Sequence, residues 1–126
     1  MSLLPDALRE ALRANAIAAC AAEQDAVVID HRPLVKFFNP MGAATWLSSE
    51  LYPDGDTLFG LADLGFGCPE VGCFSLREIA AIHLPFGLRI ERDLCFVTRH
   101  PLSRWAQAAR QCGSIIQAEQ LLRAAH

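Results

Sequence analysis

Four carboxylates in the middle and C-terminal parts of the sequence could act together on a metal ion or a proton. They are Asp63, Glu70, Glu91 and Asp93. Carboxylates that hold a divalent metal can activate water for hydrolysis, and a nearby cation can stabilise the negative charge that develops. Lys36 and Arg92 are the candidates for that cation. These six residues form the candidate pocket predicted from the sequence.

Asp63 and Glu70 flank a turn rich in glycine. Residues 57–64 are apolar on both sides of a two-residue period, which predicts a strand covered on both faces. Two glycines and a proline within residues 65–69 then interrupt the pairing, and residues 71–74 fit a return strand. The two carboxylates could border a polar pocket of backbone N–H groups. The alternative is a bulged hairpin in which they accept hydrogen bonds from turn amides.

The surroundings of Asp63 and Lys36 leave two interpretations for each. Asp63 shares a strand side with Phe59 and Leu61, so it lies either at a solvated strand end or buried with a partner. Lys36 lies within the apolar strand 34–38. Its stem either extends to the sheet edge, or its ammonium meets a carboxylate such as Asp63.

Glu91, Arg92 and Asp93 lie in a segment, residues 88–98, that predicts a fifth strand. Residues two apart on a strand project from the same face, which would put Glu91 and Asp93 together with Arg92 opposite. Such a triplet is usually a solvated edge. The alternative is an acidic pair that binds a metal or transfers a proton.

A second candidate site, for an anion, lies where Arg99, His100 and Arg104 surround the start of a helix predicted over residues 101–112. The free N–H groups of a helix N-terminus already carry positive character, so cations there are unfavourable without a counter-charge. A bound phosphate or carboxylate would relieve this cost, and so would a carboxylate from elsewhere in the fold. The alternative is that the three side chains are simply solvated.

The order of the predicted elements indicates an α+β fold, in a single domain over residues 1–126. We expect an antiparallel sheet of about five strands, with helices on one face and at the ends. An N-terminal helix should run from Leu4 to about Ala22, and a short helix that begins at the capping box Ser75–Glu78 should precede the last strand. Two C-terminal helices follow, the second ending near Ala125.

Charge is distributed unevenly over the 126 residues. Residues 1–76 carry four basic and ten acidic side chains, and residues 77–126 carry seven and four. The acidic half argues against generic binding of nucleic acid, whereas the basic half is compatible with a local anion site.

The five cysteines are an odd number at irregular spacing, which predicts reduced thiols in a cytoplasmic protein. We expect most of them to be buried as small hydrophobic residues. They form no pair with the spacing of zinc ligands, so we predict neither a metal nor a cofactor. The longest apolar run is the seven residues 16–22, too short to span a bilayer, so no membrane contact is predicted.

Several segments resemble the bacterial domain of unknown function family 2958 over about residues 31–110. They are Val35-Lys-Phe-Phe-Asn-Pro, Ala43-Ala-Thr-Trp-Leu, Phe59-Gly-Leu-Ala-Asp-Leu-Gly-Phe-Gly-Cys-Pro-Glu-Val-Gly, Ser75-Leu-Arg-Glu and Ile90-Glu-Arg-Asp-Leu-Cys-Phe. The most specific motif is the hairpin, D-L-G-x-G-x-P-E-x-G. The resemblance implies no activity, cofactor or substrate. It implies an accessory role, because members of the family resemble cargo of plasmids and integrative elements.

Two functions are compatible with the sequence. The first is a small cytoplasmic binding or interaction protein, with a protein partner or a second copy of itself, that serves a mobile-element process. The alternative is a metal-dependent hydrolase or nuclease-like enzyme that uses Asp63, Glu70, Glu91 and Asp93. The enzyme requires these carboxyl groups to converge in one cleft.

Overall fold

The computed structural model describes residues 3–124 and has an α+β architecture. Five antiparallel strands form one sheet in the order β4-β3-β2-β1-β5. The elements are α1 (Asp6–Gln24), β1 (Val35–Phe38), β2 (Thr45–Leu51), β3 (Thr57–Asp63), β4 (Glu70–Ser75), α2 (Leu76–Ala80), the 3₁₀ turn Pro85–Gly87, β5 (Glu91–Arg92), α3 (Leu102–Cys112) and α4 (Ile115–Ala124). This confirms the predicted fold class. Ala125, the predicted end of the last helix, lies outside the described residues.

Helices cover both faces of the sheet. On one face α1 and α2 pack against Phe37 and Trp46, which pair across β1 and β2. On the other face α3 and α4 pack against Leu47 and Leu61, which pair across β2 and β3. Neighbouring residues of a strand point to opposite faces, so β2 and β3 contribute to both cores. The prediction that β3 is covered on both sides is confirmed. The prediction of helices on one face and at the ends of the sheet was wrong about the faces, because both are covered.

A β-bulge in β2 changes the side on which its last residues lie. Ser48 pairs with Gly60, but Glu50 pairs with Phe59, so Ser49 is an extra residue on this strand. The Ser48 hydroxyl lies 3.0 Å from the carbonyl oxygen of Phe59 and 3.2 Å from that of Glu50. Strict alternation of residues 45–51, which the sequence alone suggests, puts Leu51 on the side of Leu47; this prediction is wrong, because the bulge turns Leu51 into the core that α1 covers.

Beyond the bulge, α1 replaces β1 as the neighbour of β2. β1 pairs with β2 only as far as Ser48. Further along, three side chains of α1 donate to backbone carbonyls: Asn15 to Ser49 at 3.0 Å, Arg13 to Leu51 at 2.7 Å and Arg9 to Gly55 at 2.9 Å. The bonds to Ser49 and Leu51 satisfy carbonyl groups of β2 that a neighbouring strand would otherwise pair, and the bond to Gly55 satisfies one in the turn that follows. The helix is thereby held along an otherwise open edge of the sheet.

The fifth strand is much shorter than predicted. Residues 94–97, expected to be strand, form a loop instead. The cause is a turn at Asp93, whose carboxylate accepts the N–H of Cys95 at 2.9 Å and whose carbonyl accepts the N–H of Phe96 at 3.3 Å. Leu94 and Val97 are consequently 79% and 84% exposed.

The residues that cap the helices are those that local sequence signals indicate. The Ser75 hydroxyl accepts the N–H of Glu78 at the start of α2, as predicted, and also donates to Asp56 at 2.7 Å. Gly113 ends α3 with a positive φ of 85°. Ser114 accepts the N–H of Gln117 in the first turn of α4. Each short helix therefore ends or begins where a local signal predicts.

The cysteines differ from expectation. Four of the five are exposed and Cys112 is half-buried, so the prediction of mostly buried thiols was wrong. The four exposed cysteines lie on α1, on β4 and in two loops, and Cys112 is the last residue of α3. All five are free thiols in residues 3–124. Within the same residues, no helix is both long enough and apolar enough to cross a membrane.

Gly60 allows the close approach of β2 and β3 at the bulge, and this gives a first prediction. A Cβ at Gly60 would lie 1.8 Å from the carbonyl oxygen of Leu47. We expect Gly60→Ala to lower the free energy of unfolding by about 3 kcal/mol or more, because backbone must move. Gly72 pairs with Gly60 but has open space, so Gly72→Ala should change stability by about 0.5 kcal/mol or less. Urea denaturation checks both, and equal effects of the two variants would contradict the role of Gly60.

Candidate functional site

Asp63 is fully buried and holds two backbone segments together. One carboxylate oxygen accepts the N–H of Gly65 in the hairpin turn at 2.9 Å. The other accepts the N–H of Ile115, the first residue of α4, also at 2.9 Å. A carboxylate in this position satisfies a free N–H of the helix and interacts favourably with its dipole. Of the two interpretations from the sequence, burial with a partner is the one observed.

Glu70 and Glu91 do not join Asp63. Glu70 is exposed and lies opposite Ala62, so it projects from the face opposite to that of Asp63. Glu91 is exposed and Arg92 half-buried on the short edge strand β5, where they pair with Phe38 and Phe37. Within residues 3–124, no three histidine, cysteine, aspartate or glutamate side chains come close enough to hold a metal ion.

Lys36 is the centre of an ion-pair network that the structure does assemble. Its ammonium lies 2.8 Å from Glu119 of α4 and 3.6 Å from Asp93. The Lys36 and Glu119 side chains are only 13% and 16% exposed. The ammonium also lies 5.8 Å from the centre of the Phe38 ring, and Glu119 reaches Arg123 at 3.5 Å. Lys36 therefore meets a carboxylate, as one interpretation required, but its partners are Glu119 and Asp93 instead of Asp63.

A cleft of about 170 Å³ opens beside this network, between the loop after β5 and the helices α3 and α4. We call it the Arg99–Arg123 cleft. The Phe96 and Trp105 rings lie 5.9 Å apart in its wall, and the indole N–H of Trp105 donates to the Thr98 hydroxyl at 3.1 Å. Its charged and polar lining comprises Arg99, His100, Glu119 and Arg123. The structure thus brings two of the predicted anion-site residues next to the Lys36 network.

The N-terminus of α3 already has a carboxylate of its own. Asp30 accepts the backbone N–H of Ser103 at 3.2 Å and also bonds to the Ser103 hydroxyl. The carbonyl of His31 accepts the N–H of Leu102 at 2.9 Å. The N–H groups at the start of α3 are therefore satisfied by a carboxylate from elsewhere in the fold, which was one of the alternatives to a bound anion. Arg104 bonds to Gln107 at 3.3 Å and lies outside the cleft lining.

Sequence reasoning missed three residues that organise this region: Glu119, Arg123 and Asp30. Glu119 and Arg123 are spaced i,i+4 on the last predicted helix, a signal for an ion pair that could have been read. The pairing of Glu119 with Lys36, 83 residues away, has no local signal. The only sequence signal for Asp30 is that it is a carboxylate in the connector before β1.

Comparison with known proteins gives one match. A family model described as "Protein of unknown function (DUF2958)" matches residues 3–116 of the chain. The chain belongs to this family. No curated protein and no solved structure matches it.

The match to the DUF2958 family is longer than the resemblance indicated. It begins before α1 and ends at the first turn of α4. Asp63 and its partner Ile115 therefore both lie inside the matched range of this DUF2958 protein. Glu119 and Arg123 lie beyond it, so part of the Arg99–Arg123 cleft is formed by residues outside the family match.

The role of Asp63 as a buried link predicts a large stability effect. Asp63→Ala would leave the N–H groups of Gly65 and Ile115 without their acceptor, and we expect it to cost about 2–4 kcal/mol of unfolding free energy. Glu70→Ala, on an exposed carboxylate of the same hairpin, should cost about 0.5 kcal/mol or less. Chemical denaturation measures both. Similar small losses in the two variants would show that Asp63 is not such a link.

The Lys36–Glu119 pair predicts a measurable coupling. A double-mutant cycle with Lys36→Met and Glu119→Gln should give a coupling energy of about 1–2 kcal/mol, because both side chains are largely buried. The matched cycle with Arg123→Gln and Glu119→Gln should give about 0.5 kcal/mol or less, since Arg123 is 73% exposed. A Lys36 cycle as weak as the Arg123 cycle would contradict a structural role for the buried pair.

Proposed function

We propose that this DUF2958 protein is a small cytoplasmic accessory protein that acts by binding, and that the Arg99–Arg123 cleft receives an anionic group of its ligand. The observation that carries the proposal is the balance of charge in the cleft. Among the described residues its one carboxylate, Glu119, is paired with Lys36 at 2.8 Å and reached by Arg123 at 3.5 Å, whereas Arg99 is exposed and no further carboxylate of the lining can pair with it. The cleft therefore presents uncompensated positive charge.

The side chains of the cleft suit a carboxylate or a phosphate group. A guanidinium group can donate two parallel hydrogen bonds to either anion. Arg99 is exposed, and the ion pair that Arg123 makes with Glu119 within residues 3–124 is long at 3.5 Å, so both are able to turn towards a ligand. The volume of about 170 Å³ would hold about five water molecules. This is room for one anionic group and a few attached atoms.

Binding is better supported than the hydrolase alternative. The carboxylates of Asp63 and Asp93 already accept backbone N–H groups, and Asp93 also lies near the Lys36 ammonium. Glu70 and Glu91 are exposed elsewhere. No observation places the four carboxyl groups around a common substrate in residues 3–124. We therefore do not propose hydrolysis.

The remaining parts of the proposal have separate support. The cytoplasmic location is supported by the exposed free thiols, which would be prone to oxidation in an oxidising compartment. The part in a mobile-element process rests on the family resemblance, as does the accessory role. A protein partner that presents a carboxylate, and a small anionic metabolite, both fit the chemistry of the cleft.

Thermal-shift titration tests the binding function. Phosphate, short dicarboxylates and nucleotides are added at constant ionic strength, with chloride as the reference salt. An anion present at 100 times its dissociation constant should stabilise the protein by about 2.7 kcal/mol. For a chain of this length that corresponds to a rise in Tm of about 10 °C.

Two variants locate the effect. Arg99→Gln combined with Arg123→Gln should abolish the rise, because the proposed donors are removed. Arg104→Gln is the matched control and should retain it, since Arg104 lies outside the cleft lining. An equal rise in all three proteins would mean a general salt effect, and no rise with any anion in the wild type would reject the anion site.

A further inference from the structure

A second concavity lies where α1 runs along the open edge of β2. It has a volume of about 450 Å³, and we call it the Glu50 groove. Ala16, Ile17 and Cys20 of α1 form an apolar wall, and Ile17 is 58% exposed. Glu50 of β2 and Tyr52, which follows β2, form the opposite side. Among the described residues it shares no lining residue with the Arg99–Arg123 cleft, so it stands independently of the proposed function.

Glu50 is an unusual residue for the interior of this groove. It is only 8% exposed, yet within residues 3–124 neither a backbone N–H nor a side chain donates a hydrogen bond to its carboxylate. Its oxygens are not among the fully buried polar atoms and so remain open to the groove, but a carboxylate with so little access to water and no protein donor is costly to keep charged. The bulge at Ser49 is what orients Glu50 in this way, and the electrostatic influence of His31 offsets only part of the cost of burial.

The nearby basic side chains already contact backbone carbonyl groups. The guanidinium of Arg13 donates to the carbonyl of Leu51 at 2.7 Å. The ring of His31 lies 3.0 Å from the carbonyl oxygen of Asn15. Glu23, a second carboxylate, lines the groove beside Glu50. The described lining holds two carboxylates, Glu23 and Glu50, against the one guanidinium of Arg13, so the groove combines an apolar wall with a net negative charge.

We propose that the Glu50 groove binds an organic cation, a primary ammonium or guanidinium group carried on an aliphatic stem. The charged head would donate to the Glu50 carboxylate, and the stem would lie along Ala16, Ile17 and Cys20. The Tyr52 hydroxyl, which the Cys73 thiol approaches at 3.7 Å, is a further acceptor for the head. A free aliphatic amine and a lysine or arginine side chain of a partner protein share this chemistry.

The titration of the groove agrees with such a ligand. Burial raises the pKa of Glu50 above its ordinary value of 4.5, with His31 opposing this shift and Glu23 adding to it. Burial also raises the pKa of Tyr52 to about 12, together with its Cys73 contact and the carboxylates of Glu50 and Glu23. A cation next to Glu50 would lower the pKa of that carboxyl and recover the lost solvation.

Binding is measured by calorimetry and thermal shift with pentylamine and agmatine, against 1-pentanol as the neutral match of the amine. We expect both cations, at about ten times their dissociation constants, to raise Tm by about 3–6 °C. The alcohol should have little effect. Glu50→Gln should abolish the response to both cations, and Glu10→Gln, on an exposed carboxylate of α1 outside the groove lining, should retain it.

The fold of Glu50→Gln is checked by its own pH profile. A folded-state carboxyl pKa above the unfolded value makes the wild type lose stability as pH rises from about 4.5. Glu50→Gln has no such loss, so it should melt above the wild type at pH 7, and the difference should narrow towards pH 4. Arg13, Glu23, His31 and Tyr52 remain in both proteins.

The outcomes distinguish the two possible sources of the cation, and two of them would overturn the proposal. Tighter binding of a lysine-containing tripeptide than of pentylamine, lost when norleucine replaces the lysine, would identify a partner side chain. Binding of the free amines alone would identify a small metabolite. Equal amine responses in the wild type and Glu50→Gln would overturn the proposal, as would no response to any cation in the wild type.

Discussion

The buried carboxylate of Asp63 is the constraint on which the arrangement of the C-terminal half depends. It joins the end of β3, the hairpin turn at Gly65 and the first amide of α4. A carboxylate removed from water is tolerable only when donors replace its hydration, and here two backbone N–H groups do so. Those N–H groups in turn need an acceptor. The position of α4 on the sheet is therefore fixed at its first residue by a strand 52 residues earlier in the chain.

The orientation of α4 decides whether the Lys36 network can form. Glu119 lies one turn into α4 from Ile115, and its carboxylate must reach the Lys36 ammonium on β1. Lys36 also contacts Asp93, and Asp93 folds the loop after β5 by accepting the N–H of Cys95. That loop and α4 are two walls of the Arg99–Arg123 cleft. The cleft thus depends on a series of polar contacts. The first joins β3 to α4, the second joins α4 to β1, and the third joins β1 to the loop after β5.

Local signals were sufficient for most elements, and long-range contacts were not. The glycine and proline residues of the hairpin, the capping serines and Gly113 each act within a few residues, so the sequence predicts them directly. The bulge at Ser49 depends on the close approach of Gly60 to the backbone of β2, and the amino-acid sequence of β2 does not indicate a bulge. The loop at residues 94–97 has strand composition, but the turn made by Asp93 overrides that preference. Lys36 and Glu119 are 83 residues apart in the sequence, and the periodicity of apolar residues gives no information about a contact between residues so far apart.

Asp63 and Glu50 are both buried carboxylates on neighbouring strands, but they differ in their hydrogen-bond donors. This difference distinguishes a carboxylate that stabilises the fold from one that we propose binds a ligand. Asp63 has two donors, so the fold explains why it can be buried. Glu50 has none among residues 3–124, although glutamine or an apolar residue would fill the same space at lower cost. An internal polar group that weakens the fold needs a reason outside the fold. A cation bound in the groove would give Glu50 the donors that the two backbone amides give Asp63.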